Sequence, residues 1–219
     1  MRIAIAGAGN AGRAIARELI ANGHQVLLID KNPKALKMES VPSAEWLLAD
    51  ACEISSLDKA KLDICQVMVA ATGDDKVNLV ASLLAKTEYG VPRVVARVNH
   101  PKNEWLFDSS WGVDVAVSTP RIIAALVEEA VSVGDVVRLF SLKAGEANLV
   151  ELTLPDNSLC IGKSVAEINL PEDAALAAII RDGHVITPAG HDVFSAGDEL
   201  IFVASAQAED SLKSCFVTN

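Results

Sequence analysis

The chain has 219 residues, 51% of them hydrophobic and only 4% aromatic, with a formal net charge of −10 at pH 7. That length allows one large domain or two small ones, and an apolar fraction built mostly of Ala, Val, Leu and Ile suits buried parallel strands and the helices packed on them. The acidic balance excludes a nucleic-acid binder, which needs clustered Lys and Arg, but leaves room for an anionic nucleotide held by backbone N–H groups.

Short apolar runs at Ile3–Ala6, Gln25–Asp30, Trp46–Ala49, Gln66–Thr72, Arg93–Val98 and Val113–Ser118 read as strands. Helical stretches such as Ala11–Asn22 and Lys76–Glu88 lie between them. Strands alternating with helices imply right-handed crossovers and a doubly wound, Rossmann-like parallel sheet, an α/β fold. Thr119 and Pro120 then open a helix to about Val133, with Ile122, Ile123, Leu126, Val127 and Val131 on one wide apolar face. That face either packs on the sheet or crosses to a second subunit. The boundary to a second module falls within Val133–Gly145.

Beyond it the pattern becomes that of a small α+β module. Asn148–Leu154 alternates like a strand, and Ile161–Ile168 is expected to form a short helix. Ala177–Arg181 and His184–Pro188 flank Asp182-Gly183, a type I′ hairpin signal. Glu199–Ala204 reads as a strand and Gln207–Cys215 as the last helix. The division is residues 1–118, a crossover helix 119–135, and a C-terminal module 136–219.

Strand, GxGxxG and helix follow one another at Ile3–Gly12. Gly7 permits the tight turn, Gly9 lets a pyrophosphate approach the backbone, and Gly12 allows close helix–strand packing. Asn10 and Ala11 open the helix, whose N-terminus offers unpaired N–H groups to phosphate. Asp30 closes the second strand about 20 residues past the glycines, where a carboxylate accepts ribose hydroxyls and repels a 2′-phosphate. NAD(H) is therefore favoured over NADP, although Lys31 is a mild counter-signal, and ATP or ADP remains an alternative. Further polar residues fall after successive strands: Asp50, Ala51 and Cys52, then Thr72, Gly73, Asp74 and Asp75, then Arg97 with Val98 and Asn99. Together they predict the wall of one pocket.

The four histidines have no visible carboxylate pairing, and no GxSxG, HExxH or Walker lysine occurs, so catalysis is not expected. Cys52, Cys65, Cys160 and Cys215 lack the spacing of a zinc site and read as free thiols in a reducing cytoplasm. Met1 leads straight into a strand, and the longest apolar stretch, around Ala174–Ile180, is far short of the roughly 20 residues that span a bilayer. A cytoplasmic protein is expected, reaching a membrane only through a partner.

Taken together, these residues resemble the regulatory subunits of Trk/Ktr potassium-uptake systems, which are built from RCK (KTN) domains. The matching features are Gly7–Gly12 including Ala8, Asp30, the run Val69–Asp75 with Asn78 one turn later, Ala96–Asn99 and Gly112–Pro120. Ile161–Ser164 and Gly197–Leu200 resemble the family's C-terminal module, and the likeness is greatest to actinobacterial TrkA-type proteins. The resemblance implies a Rossmann unit binding NAD(H) or ATP/ADP, with Gly7 to Ala11 at the phosphates, Asp30 at the ribose, Thr72 and Gly73 near the nucleotide, and Arg97 toward its phosphate end. It further implies a crossover helix shared with a partner subunit. The partners it implies are a membrane potassium translocase of the TrkH, TrkG or KtrB type and a second RCK chain, the protein lying on the cytoplasmic face of the membrane. Two departures weaken the case for ATP with a divalent ion: Asn10 stands where some relatives carry arginine, and Arg121 where they carry an acid. Because some TrkA proteins hold two such units in tandem, self-association or pairing with a related chain is implied here. The rival readings are an NAD-dependent oxidoreductase and an interaction module with a vestigial glycine turn.

Overall fold

A computed structural model describes residues 1–131, 133–142 and 147–217. The first half alternates strand and helix: β1 (Arg2–Ala6), α1 (Asn10–Ala21), β2 (Gln25–Asp30), β3 (Glu45–Leu48), α2 (Ile54–Lys59), β4 (Val67–Ala70), α3 (Asp75–Thr87), β5 (Arg93–Val98) and β6 (Val115–Ser118). All six strands are parallel in the order β3-β2-β1-β4-β5-β6, which is the doubly wound arrangement expected. The order reverses between β1 and β4, and that switch point is where such sheets open a crevice beyond their strand ends.

Both faces of the sheet are covered. Ala4, Ala6, Leu27, Ile29 and Met68 pack toward Leu57, Leu62, Leu79 and Ala81 on one side. Ile3, Ile5, Val26 and Leu28 pack toward Ala8 and Ala16 on the other. Fully burying an Ile, Leu or Met side chain contributes about 1.5–3 kcal/mol, so continuous apolar runs in β1 and β2 fix these strands at the centre.

The boundaries differ from the expected ones in physical detail. β4 stops at Ala70 rather than Thr72, because the Thr72 N–H is taken by the Asn78 side chain at 2.9 Å and leaves the ladder. β6 starts at Val115, and Asp114 before it spends its carboxylate on the Lys86 ammonium at 2.8 Å and the Val94 N–H at 2.7 Å. The short helix α2 was missed, since six residues make less than two turns and show little periodicity.

The chain divides into two units, Met1–Pro120 and a second from Arg121 onward. The expected crossover helix is α4 (Thr119–Val131), and Ile123, Leu126, Val127 and Val131 on it are exposed, Val131 by 77%. The end of the expected 119–135 segment includes residue 132, and the expected boundary interval reaches 143–146; these residues lie outside the described ones.

The second unit carries a five-stranded antiparallel sheet of order β10-β9-β11-β8-β7, formed by β7 (Val137–Leu142), β8 (Ala147–Thr153), β9 (Ala174–Arg181), β10 (His184–Ile186) and β11 (Glu199–Ala204). The final helix α5 (Ala208–Phe216) buries Leu212 and Phe216 against Phe194 and Phe202. The β9–β10 turn has Asp182 at φ 50° and Gly183 at φ 74°, the two positive values a type I′ hairpin needs. The helix expected over Ile161–Ile168 shrinks to a single 3-10 turn at Val165–Glu167. Gly162 sits at φ 81° and its N–H goes to the Phe194 carbonyl, which interrupts any helix there.

Candidate nucleotide site

The glycine turn is built by two close approaches. Gly7 has φ 104°, and a Cβ there would lie 2.9 Å from the Ala71 carbonyl and the Thr72 nitrogen. A Cβ on Gly12 would lie 1.8 Å from the Gly7 oxygen. Both positions therefore require glycine for packing within the protein. Gly9 is different: nothing comes within 4 Å of a Cβ built there, so its bare backbone borders open space.

Gly9 is also the N-cap of α1, and no side chain closes the helix, nor does any acidic residue occupy its first turn. The first N–H groups of a helix have no intrahelical acceptor and together carry roughly half a positive charge. Here they are left to the space beyond the turn. That space is a cavity of about 580 Å³ lined by Gly7, Gly9, Asn10, Ala11, Asp30, Lys31, Asp50, Ala51, Thr72, Gly73, Asp74 and Arg97 together with Ile29, Ala49, Ala71 and Val77. The ends of β1, β2, β3, β4 and β5 thus meet at one opening.

Seven of the expected residues lie outside that lining: Ala8, Gly12, Cys52, Asp75, Asn78, Val98 and Asn99. Ala8 is buried, and its N–H donates to Asp30 Oδ2 at 2.8 Å. Gly12 sits under the turn. Cys52 contributes a backbone N–H to Asp50 Oδ1 at 3.0 Å, and its thiol, pushed up by burial first and by Asp50 next, approaches the Val77 carbonyl. Asn78 is fully buried and joins two strand ends: its Oδ1 accepts from the Thr72 N–H and hydroxyl, and its Nδ2 donates to the Thr72 and Arg97 carbonyls.

The charges around the rim are arranged unevenly. Asp30 also accepts the Asn32 N–H at 2.9 Å through Oδ1, so it pins both the glycine turn and the chain leaving β2. Lys31 pairs with Asp50 at 3.2 Å, and the Cys52 N–H, then Lys31, hold the Asp50 carboxyl below its ordinary range. Arg97 reaches the lining with its Nε buried and without a hydrogen-bond partner, a donor still to be satisfied.

One contributor, Arg13, was missed from the sequence, and another, Asp75, was expected on the pocket wall but lies outside its lining. Arg13 is buried, and its guanidinium donates to Ala8 O at 2.5 Å, to Asn10 Oδ1 at 2.7 Å and to Ala35 O at 3.4 Å. Asp75 is buried at the start of α3 and accepts the Asn99 N–H, Asn99 Nδ2, the His100 N–H and Asn103 Nδ2. Burial alone would push its carboxyl up, but those bonds outweigh burial and hold it below the ordinary aspartate value. The run Thr72–Asp75 pointed to this region without separating the rim aspartate, Asp74, from the structural one.

Among the described residues no group of three or more His, Cys, Asp or Glu could hold a metal ion, and no helix is long and apolar enough to cross a membrane. Residues 3–119 match the TrkA-N domain and residues 149–216 the TrkA-C domain. The chain belongs to the TrkA family. It is 57% identical over 212 residues to the Trk system potassium uptake protein TrkA of Mycobacterium tuberculosis H37Rv, covering 97% of this chain and 96% of that one. It is 29% identical over 219 residues to a TrkA homolog of Archaeoglobus fulgidus, covering 99% of this chain but 50% of the relative. Among solved structures, the GsuK channel bound to NAD aligns with a TM-score of 0.65 at 17% identity, covering 98% of this chain and 39% of that one. The TrkA-N domain of inner membrane protein ybaL from Escherichia coli aligns with a TM-score of 0.55 at 14% identity, covering 60% of this chain and 96% of that one. At such identities these likenesses establish the fold. TrkA family membership agrees with the expectation of a non-enzymatic protein and gives the oxidoreductase alternative no support.

Proposed function

We propose that the TrkA-N unit binds NAD(H) in the cavity at the glycine turn, and that this binding regulates a membrane potassium translocase of the TrkH, TrkG or KtrB type. The observation that carries the reading is the meeting of uncapped α1 N–H groups with Asp30 on one opening of about 580 Å³. Phosphates take the helix end, and the adenosine ribose hydroxyls take the Asp30 carboxylate, which repels a 2′-phosphate. Gly7, Gly9, Asn10 and Ala11 line the phosphate side. Lys31, Asp50 and Ala51 border the ribose and base, with Thr72, Gly73, Asp74 and Arg97 on the opposite rim. Ala8, Gly12, Cys52 and Asn78 hold that lining from behind. The fold shared with a channel solved with NAD bound supports the choice of ligand, while ATP and ADP compete for the same groups.

Regulation requires that the nucleotide favour one arrangement of paired subunits, because equal affinity for both would shift nothing. A preference of about 1–3 kcal/mol matches a typical allosteric coupling. The exposed apolar residues of α4 suit pairing with a second RCK chain. The protein then works on the cytoplasmic face of the membrane, held there by the translocase. Competitive titration of the purified protein with NADH, NAD, ATP and ADP tests the ligand. Potassium flux through vesicles carrying translocase and regulator, with and without the preferred nucleotide, tests the regulation. An equal flux in both states would refute it.

A further inference from the structure

Arg13 is only 9% exposed, yet every partner of its guanidinium is neutral: the carbonyls of Ala8 and Ala35 and the side-chain oxygen of Asn10. No carboxylate among the described residues pairs with it. A buried cation without a counter-charge is costly, and here it lies directly beneath the glycine turn. Guanidinium has donors and no acceptor, so the Asn10 amide must turn its oxygen toward Arg13. Its Nδ2 group is then directed away from Arg13. Asn10 lines the cavity, and no described residue accepts from that nitrogen.

Resting on the nucleotide reading above, we propose that Arg13 is a positioning residue that locks the Asn10 amide with its Nδ2 group outward, making Asn10 a phosphate donor of the turn. The phosphate supplies the counter-charge that Arg13 lacks, and the amide relays the contact without exposing the cation. The turn thereby recognises phosphate with a neutral side chain in contact and a positive charge one hydrogen bond behind it.

Asn10→Asp separates this role from folding. An acidic residue in the first turn of α1 suits the helix dipole and gains an ion pair with Arg13, so the melting temperature is expected not to fall. The same change replaces a donor by an anion facing the phosphates. NADH affinity is expected to drop roughly tenfold or more, the scale of a lost hydrogen bond to a charged group plus repulsion. Adenosine, which carries no phosphate, is expected to bind within about twofold of wild type by displacement titration, since nothing it touches has lost a hydrogen bond. Arg13→Gln is expected to weaken NADH several-fold while sparing adenosine. Wild-type NADH affinity in Asn10→Asp, or an equal loss of adenosine, overturns the proposal. If the wild-type protein binds neither NADH nor adenosine, the nucleotide reading itself fails, and this one with it.

Discussion

Asp30 Oδ2 accepts the Ala8 N–H at 2.8 Å, while the carbonyl of that same Ala8 accepts Arg13 at 2.5 Å. One small residue is thus pinned through both its donor and its acceptor, and the glycine turn is held in shape before any ligand arrives. Pre-organisation of this kind lowers the ordering cost of binding. It also gives Asp30 two duties, since the carboxylate that faces the cavity is the one that braces the turn.

Replacing Asp30 with Ala is therefore expected to weaken NADH binding by about 1–3 kcal/mol through lost hydrogen bonds to a charged group. It should also lower thermal stability, because the Ala8 and Asn32 N–H groups lose their acceptor. Calorimetry with a parallel melting curve checks both effects. Unchanged affinity with lowered stability would assign Asp30 to the turn alone.

Two glycines of the turn should respond differently to alanine. Gly12→Ala puts a Cβ 1.8 Å from the Gly7 oxygen, and a loss of about 2–4 kcal/mol in stability is expected from the forced backbone shift. Gly9→Ala meets nothing within 4 Å, so stability should hold to about 0.5 kcal/mol. Its methyl would still stand between phosphate and backbone, and NADH affinity should fall. Denaturant melts and titrations of the two variants give opposite orderings if this is correct.

Asp75 should make the first unit sensitive to acid. Its carboxyl is held below the ordinary value in the folded protein. The stability it contributes is thus present above the unfolded pKa and disappears as pH falls through the lower folded one, that is, below about pH 4. Asp75→Ala is expected to cost about 2–4 kcal/mol at neutral pH, where four donors lose their shared acceptor. Asp75→Asn should flatten the acid limb of the stability curve; an identical limb in variant and wild type would contradict the assignment.

Leu126 and Val127 stand exposed side by side on α4. If α4 pairs with a second chain, Leu126→Asp should shift the sedimentation coefficient toward the single chain while leaving NADH affinity intact. Equal sedimentation of wild type and variant would exclude this helix face as the contact.

The sequence was most legible where the apolar pattern was strong, whether buried continuously as in β2 or in alternation as in β5 and β11. Gln25–Asp30, Arg93–Val98 and Glu199–Ala204 coincide with the strands expected. The glycine turn was equally readable because Gly7 and Gly12 answer to steric demands that no other residue meets. Less visible were elements defined by long-range pairing. β7 takes its place by antiparallel pairing with β8, interrupted by an irregularity between Arg138 and Phe140 that breaks the alternation. Within the cavity wall, spacing alone could not separate lining from support. Thr72 lines the opening, whereas Asn78, six residues later, is wholly enclosed and serves its neighbours. Arg13 escaped notice because a lone arginine on a helix ordinarily extends into solvent.

The enclosed Asn78 has a mechanical consequence. By holding the Thr72 and Arg97 carbonyls with one amide, it welds the tips of β4 and β5 into a single jaw. Asp30 and Arg13 weld the glycine turn to the segment after β2 into another. A molecule gripped between two stiff jaws cannot be accommodated by small yielding everywhere. The two jaws are joined where β1 pairs with β4, at the centre of the sheet.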